Sequence, residues 1–393
     1  TGGVDHAAES LAAITPMAET VAARWVHGAQ LVVAGDESFI DEAFYRAGGL
    51  IAMRRIDAQP RDDYPRHLTW KQLGPDDIVL YGLHQATDPE LTIFDDVRQL
   101  ARHRQTVVLF GSEHWPVCRK ILAYCRSRLP QGHVFFVNTD LPADTRLTSA
   151  TGIRLGSYAP AVVAIHQWAF TCELVGAATR LGRTPAIWPS LTIPGWEKWE
   201  EKYKGITFHD DHTIAPIEAG RLTKAFLEVT RLQLARCGES ADQIRVAAAT
   251  LNRTPTSNAV YLLIESHLLA AEVPIPPELP NWLVVKRNWR WRGAARETLA
   301  NGDAVVWLGY LDYPTKEVRD TLDRGGSFVA MSALPADPND TVNPSAPWIR
   351  IPWAYPDAVV DIPGYPMKLA PTSGIVKTPI LWGLTGAVID SKP

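Results

Sequence analysis

Apolar positions along the chain fall into two rhythms. Leu11, Ile14, Met17, Val21, Ala22 and Trp25 recur at helical spacing and predict a helix over residues 5–28. Short apolar runs then alternate with amphipathic stretches. Residues 30–35 (QLVVAG), 50–56 (LIAMRRI), 77–83 (DIVLYGL), 106–111 (TVVLFG) and 133–138 (HVFFVN) read as strands. Residues 37–47, 89–103 and 113–128 read as helices, and 159–181 as a long closing helix. Strands that are apolar throughout, rather than alternately, are buried on both faces. That pattern predicts a parallel sheet with helices on each side.

Residues 184–216 break the rhythm with Pro, Gly and Trp, and read as an ordered connecting segment. A helix is expected over 217–237, after which the α/β pattern resumes. Residues 281–286, 303–308 and 327–331 read as strands, 313–324 as a helix, 357–361 as a short strand and 373–389 as the closing helix. Residues 243–251 fit either strand or helix, and 256–271 fit a helix. Two internal matches suggest a repeat. Residues 76–112 can be laid on 302–333, each a strand after an Asp, a polar loop with Pro, an amphipathic helix and a second strand. Residues 152–177 can be laid on 366–389, each a basic residue, a Leu, a small-residue turn with Ser and a terminal helix. The expected organisation is a first domain over 1–183, the connecting segment 184–216 and a second domain over 217–393.

Composition sets outer limits. At 393 residues the chain exceeds the ~150 typical of one domain. With 46% hydrophobic and 21% charged residues it cannot be wholly disordered. A net charge of -4 offers no basic surplus for nucleic acid, and no run of about 20 uninterrupted apolar residues suggests a membrane span. Four cysteines make no disulfide framework in a chain this long. Cys118 and Cys125 would stand about 10 Å apart along one helix, too far to bridge. Cys172 and Cys237 could pair or stay buried, and buried free thiols are expected. The chain begins at Thr1 rather than Met. An export signal removed upstream, and so an extracytoplasmic location, is the favoured expectation, with a cytoplasmic one as the alternative. No P-loop, GxGxxG, HExxH, CxxC pair or GxSxG occurs in a suitable context, so no nucleotide cofactor or metal is expected.

Certain phrases carry a family resemblance. Residues 41–50 read DEAFYRAGGL and 370–374 read APTSG, with a degenerate counterpart GSYA at 156–159. These resemble phrases of the sugar isomerase (SIS) domain. The resemblance implies an α/β fold of two three-layer α/β/α sandwiches with parallel five-stranded sheets, and ligands that are sugars or sugar derivatives. It further implies an aldose–ketose isomerase activity. A non-catalytic sugar-binding or regulatory protein, and a lyase or etherase acting on sugar acids, are the alternatives. A homodimer is a further expectation, with neither nucleic acid nor membrane as partner.

Departures from the family pattern bear on the ligand. The loop that usually carries SxSGxT hydroxyls for a sugar phosphate is GLHQATDP at 82–89, with His84, Gln85 and Thr87. Its second-half counterpart at 309–315 holds Asp312. The first-strand loop is Gly35-Asp36-Glu37-Ser38, with two carboxylates where an anion would sit. A neutral sugar fits these loops better than a phosphorylated one. For proton transfer the candidates are Glu42, Glu173, His209 and His212. Imidazole and carboxylate groups shuttle protons near neutral pH, and the resemblance suggests a ring-opening His from a neighbouring segment. The plainer readings are a hydrogen-bonded loop for His209–His212 and a buried ion pair for Glu173. Ser157, Thr254, Thr256, Ser257, Thr372 and Ser373 are binding candidates, as caps offering hydroxyl and N–H groups at helix starts.

Overall fold

The structure is a computed structural model. It describes residues 1–44, 46–56, 67–83, 98–100, 104–190, 193–264, 280–287, 299–309, 315–333, 347–353 and 357–391. The chain divides into two compact units. The first comprises Thr1–Thr145, Ala159–Arg231 and Pro356–Thr372; the second comprises Arg146–Tyr158, Leu232–Tyr355 and Ser373–Pro393.

The first unit is built on a six-stranded parallel sheet in the order β3-β2-β1-β4-β5-β6. Its strands are β1 (Leu31–Gly35), β2 (Arg54–Ile56), β3 (His67–Leu68), β4 (Ile78–Gly82), β5 (Thr106–Gly111) and β6 (Val134–Asn138). Helices α1 (Gly2–Glu9), α2 (Leu11–Val26), α3 (Glu37–Ala43), α4 (Pro116–Arg128) and α5 (Ala159–Arg180) accompany it. The expected single N-terminal helix is thus two, meeting at Ser10, and the sheet gains the two-residue β3 beyond the expected five strands. The central strands β4 and β5 are buried along their whole length, as double-sided covering requires. From Ala159 to Thr179, α5 is buried at every position but Val162. It is apolar and long enough to cross a membrane, yet 94% of its most apolar window lies inside the protein, as in a core helix.

The second unit holds a five-stranded parallel sheet in the order β10-β9-β11-β12-β13. It uses β9 (Val260–Ile264), β10 (Leu283–Arg287), β11 (Ala304–Leu308), β12 (Phe328–Ser332) and β13 (Trp348–Arg350). Helices α7 (Arg221–Arg236), which crosses from one unit to the other, α8 (Ala241–Leu251), α9 (Thr315–Asp323) and α10 (Ser373–Ser391) follow the same chain. Residues 243–251 are therefore helical. The helix expected over 256–271 is overturned by β9. Val260-Tyr-Leu-Leu-Ile264 is an uninterrupted apolar run, and such a run has no period to separate buried strand from buried helix.

Numbered within each half, both sheets follow the order 2-1-3-4-5, with β3 added at one edge of the first. Both carry the same anchor. Asp77, just before β4, accepts hydrogen bonds from Gln30 N (2.9 Å) and Gly74 N (2.8 Å). Asp303, just before β11, accepts from Ala259 N (2.9 Å) and Ala300 N (2.6 Å). Each buried carboxylate satisfies a backbone N–H at the start of the first strand and one in its own turn, fixing the order of the two central strands.

Two antiparallel hairpins complete the units. Pairing of β7 (Arg146–Thr148) with β8 (Arg154–Ser157) belongs to the second unit, although it lies in the first half of the sequence. There the Gly156 backbone lies against Trp382: a Cβ on it would stand 1.7 Å from the indole. Pairing of β14 (Ala358–Val360) with β15 (Leu369–Pro371) belongs to the first unit. There Gly48, at φ +75°, lets the backbone close on Ala358, and its carbonyl accepts from Ala370 N at 3.0 Å. The short strand expected at 357–361 is one arm of this hairpin. The four cysteines are free. Burial pushes Cys118 up to about 12 and Cys125 up to about 11, which makes them poor nucleophiles.

One buried pair makes stability depend on pH. The Nδ1–H of His166 donates to the Val162 carbonyl (2.9 Å), leaving Nε2 to accept from Nδ1 of His6 at 3.0 Å. Desolvation, with His6 beside it, lowers His166 from 6.5 to about 4. Between those values the unfolded chain binds a proton that the folded chain refuses, so this site's contribution falls as pH drops from about 6.5 towards 4 and levels off below. The full loss is on the order of 3 kcal/mol. Urea unfolding of the parent chain and of His166→Leu at pH 7 and pH 4.5 should show the parent losing more stability on acidification than the variant.

Candidate functional site

In open parallel sheets the C-terminal strand ends form the usual ligand-binding edge. In the first unit that edge is shaped by two glycines. Gly35, at φ +107°, ends β1 so closely against β4 that a Cβ would stand 2.2 Å from the Gly82 carbonyl oxygen. The same oxygen accepts from Asp36 N at 2.9 Å. Gly82 in turn lies beneath the Phe39 ring, 2.0 Å from where its own Cβ would be. Helix α3 is therefore seated directly on the strand ends, and Phe39 packs on Phe110 at 5.1 Å.

The inner side of α3 is buried and polar. Ser38 and Glu42, one turn apart, are both buried there, where Gln167 and Trp168 of α5 bond to α3. Trp168 Nε1 donates to Glu42 Oε1 at 3.0 Å, and Gln167 Nε2 to the Phe39 carbonyl at 3.1 Å. Arg46 lies 3.5 Å from Glu42 Oε1 and 2.9 Å from Asp357 Oδ2, all three side chains at most 1% exposed. Burial raises the Glu42 carboxyl above its ordinary range, with Arg46 opposing. Glu42 Oε2, Ser38 Oγ and Gln167 Oε1 are buried without hydrogen-bond partners.

The outer side of α3 presents a carboxylate pair. Arg55 of β2 reaches Glu37 Oε1 at 3.0 Å and Asp41 Oδ1 at 3.3 Å. Desolvation, followed by repulsion from Glu37, raises Asp41 to about 7 against the pull of Arg55. A carboxyl that titrates near neutrality and is still 27% exposed can both give and take a proton. Asp41 and Arg55 were not anticipated from the sequence, although the i,i+4 spacing of Glu37 and Asp41 just beyond β1 was a readable signal.

His209 and His212 have a different neighbourhood. Phe208 packs on Trp25, in the last turn of α2 before β1 begins, with ring centroids 4.5 Å apart. The cluster thus attaches near the N-terminal end of β1. Tyr365, at the tip of the β14–β15 hairpin, accepts from Ile187 N at 3.2 Å and donates to His209 Nε2 at 2.6 Å. His212 Nε2 donates to the Gly364 carbonyl at 2.9 Å. Asp211 lies 3.6 Å from His209 Nδ1 and is held by Lys202 (2.6 Å) and the Tyr203 hydroxyl (3.1 Å). Desolvation lowers His209, which favours neutral imidazole and the acceptor role that Tyr365 requires. These contacts latch the hairpin to the connecting segment, which contains a helix of its own, α6 (Trp196–Tyr203). None of the hydrogen bonds described for His209 or His212 reaches Asp36, Glu37, Ser38 or Glu42.

The remaining candidates are dispersed. Glu173 accepts from Arg180 (3.2 Å), Gly220 N (2.8 Å) and Thr223 Oγ1 (3.4 Å), tying the start of α7 to α5. Thr254, Thr256 and Ser257 lie on the turn that leads into β9, not before a helix, so they stand at the N-terminal end of that strand. Ser157 pairs with Arg146 in the hairpin of the second unit. Thr372 is buried with Oγ1 unpartnered, and Ser373 opens α10, followed by the buried Lys377, whose Nζ lies 5.2 Å from the Trp353 ring. His84, Gln85, Thr87 and Asp312 lie outside the described residues. Another group that the sequence did not suggest is Glu113, His114 and Asp140 beyond β5 and β6, exposed and mutually within 4.8 Å.

No family model matches the chain, and no curated protein sequence does. Solved structures do match, over nearly its whole length. Tagatose-6-phosphate ketose/aldose isomerase from Escherichia coli aligns with 99% of this chain and 88% of its own, at 8% identity and a TM-score of 0.50. A provisionally named sugar binding protein from Salmonella typhimurium LT2 aligns with 100% and 99%, at 7% identity and a TM-score of 0.52. The C-terminal domain of glucosamine-fructose-6-phosphate aminotransferase from Francisella tularensis aligns with 99% and 95%, at 8% identity and a TM-score of 0.49. The fold is the SIS fold. At such identities the likeness is one of fold, and the SIS architecture expected from the DEAFYRAGGL and APTSG phrases is present in both units.

The latch makes a direct prediction. Tyr365→Phe keeps the ring but removes the hydrogen bond to buried His209, and should lower stability by about 1–2 kcal/mol. His212→Ala, at a more exposed contact, should cost less. Chemical denaturation of both variants checks the order.

Proposed function

We propose that the protein binds a neutral sugar or sugar derivative at the C-terminal strand ends of the first unit and acts on it as an aldose–ketose isomerase. The observation that carries this reading is the carboxylate-rich edge around α3. Asp36, Glu37 and Asp41 stand there, and the one described guanidinium among them, Arg55, is engaged by Glu37 and Asp41. Carboxylates accept hydrogen bonds from sugar hydroxyls but repel a phosphate, so the edge favours the uncharged ligand. Isomerisation needs a group that removes the C2 proton of an open-chain aldose and returns one at C1 of the enediol, while a hydroxyl proton passes from O2 to O1. Asp41, titrating near 7, is suited to that exchange at neutral pH. Glu42 is fully buried beside it and serves this reading as a positioning residue through Arg46 and Asp357. The tandem organisation, with a hairpin passed from each half to the other unit, accords with diverged copies of one domain.

Complete burial of Ser38 and Glu42 favours a second reading, in which the protein binds a sugar without turning it over. Incubation with glucose, fructose or glucosamine in D2O separates the two. Isomerase action incorporates solvent deuterium at C1 or C2, seen by NMR, and Asp41→Asn should cut the rate at least ~100-fold, the usual scale of a lost acid–base group. Binding without exchange would support the second reading. In thermal shift, the neutral sugars should stabilise the protein. Failure of all of them to do so would contradict the neutral-ligand proposal.

A further inference from the structure

The opposite edge of the first sheet, where the strands begin, has the reverse electrostatic character. Two adjoining clefts there, of about 780 Å³ and 330 Å³, share Gly28, Ala29 and Gln30 as common lining. The larger is lined by Arg24, His27 and His133, the smaller by Arg54 and Arg183. The carboxylates among the described lining residues are Asp76 and Asp77. Asp77 is consumed by the strand anchor, since Gln30 N, Gln30 Nε2 and Gly74 N all donate to it. A chain with a net charge of -4 thus gathers three guanidinium groups and two imidazoles along one concave surface, against one uncommitted carboxylate.

Geometry holds several of these groups ready. Arg24 Nη1 donates to Thr106 Oγ1 and lies 3.2 Å from His133 Nδ1. That contact makes Nδ1 the acceptor and leaves the proton on Nε2, which is then free to serve as a donor. His27 is fixed through its own Nδ1, 2.6 Å from the Ala23 carbonyl. Arg183 rests over the Phe208 ring at 5.1 Å, and its nearest described carboxylate, Asp210, is 4.0 Å away and 92% exposed. Arg24 and His27 also complement the C-terminal end of α2. Arg183, just past the C-terminal end of α5, stands in the same relation to that helix, whereas Arg54, on β2, has no such helix end to serve.

We infer that this edge is a second ligand site, for a small polyanion of the phosphate class, separate from the carboxylate-lined edge where a neutral sugar is proposed to bind. Planar guanidinium groups spaced along a groove match phosphoryl oxygens, and charge-assisted hydrogen bonds supply the affinity. The inference is independent of the isomerase reading, because it uses none of the same residues.

Isothermal titration of the full chain with inorganic pyrophosphate tests it. Saturable binding is expected, with the dissociation constant raised about tenfold or more by Arg24→Gln and by Arg183→Gln, the scale of one lost charge-assisted hydrogen bond. Because Arg24 touches β5, the exposed His27→Gln provides a second variant on the same cleft, also expected to weaken binding. Asp41→Asn, at the other edge, should leave pyrophosphate binding unchanged. Three results would overturn the inference: no saturable binding, equal binding of sulfate, or binding lost in Asp41→Asn but kept in Arg24→Gln and Arg183→Gln.

Discussion

A single guanidinium organises the first unit. Arg46 is buried between Glu42 of α3 and Asp357 at the root of the β14–β15 hairpin. Each contact joins a piece of chain that would otherwise be free to move: α3 on its seat above the strand ends, and a hairpin supplied from more than 300 residues later in the sequence. A buried ion cluster of this kind is no bonus in stability, because three charges must be desolvated to make it. Its value lies in geometry, since removing one partner would strand the others in a dry environment at a cost of several kcal/mol. Gly48, two residues on, accepts the hairpin backbone, and Trp168 Nε1 donates to the same Glu42 oxygen that Arg46 approaches. The inner face of α3 is thereby fixed, and its outer face is left to present carboxylates.

From that constraint follows a polarity across the sheet. Where the strands end, Asp36, Glu37 and Asp41 project beyond Gly35. Where they begin, arginines and histidines line a cleft around the α2–β1 turn. Parallel strands place all their ends of one kind on one edge, so the chemistry of each edge is set by which loops follow strands and which precede them. The neutral polyhydroxyl ligand proposed at one edge and the polyanion inferred at the other would together use both sets of charges. Raising Asp41 towards neutrality belongs to the same logic: Glu37 one turn earlier and partial burial together hold a proton that an isolated surface carboxyl would release.

Much of this was legible in the sequence. The apolar runs around Val32, Leu80 and Leu109 declare strands covered on both faces, and the Asp before each of β4 and β11 anchors the same turn in both halves. What the sequence concealed has physical causes. Val260–Ile264 carries no period, so β9 read as helix. The hairpins are passed between units by tertiary pairing that local pattern cannot encode. His209 drew attention because imidazole and carboxylates cluster there, and the sequence gives no sign that its Nε2 meets Tyr365, 156 residues on. Asp41 was passed over in favour of Glu42, because nothing in the local sequence tells which of two adjacent acids faces inward. Their burial and the reach of Arg55 from β2 make the distinction.

The central claim is that the carboxylate edge around α3 holds an uncharged sugar. Hydrogen–deuterium exchange of backbone amides, measured with and without a saturating neutral sugar that stabilises the protein, addresses it most directly. The account predicts slower exchange in residues 35–44, spanning the β1–α3 turn and α3, with the strand-start residues 27–31 unchanged. Protection confined to residues 27–31, or protection by the sugar that leaves 35–44 untouched, would contradict it.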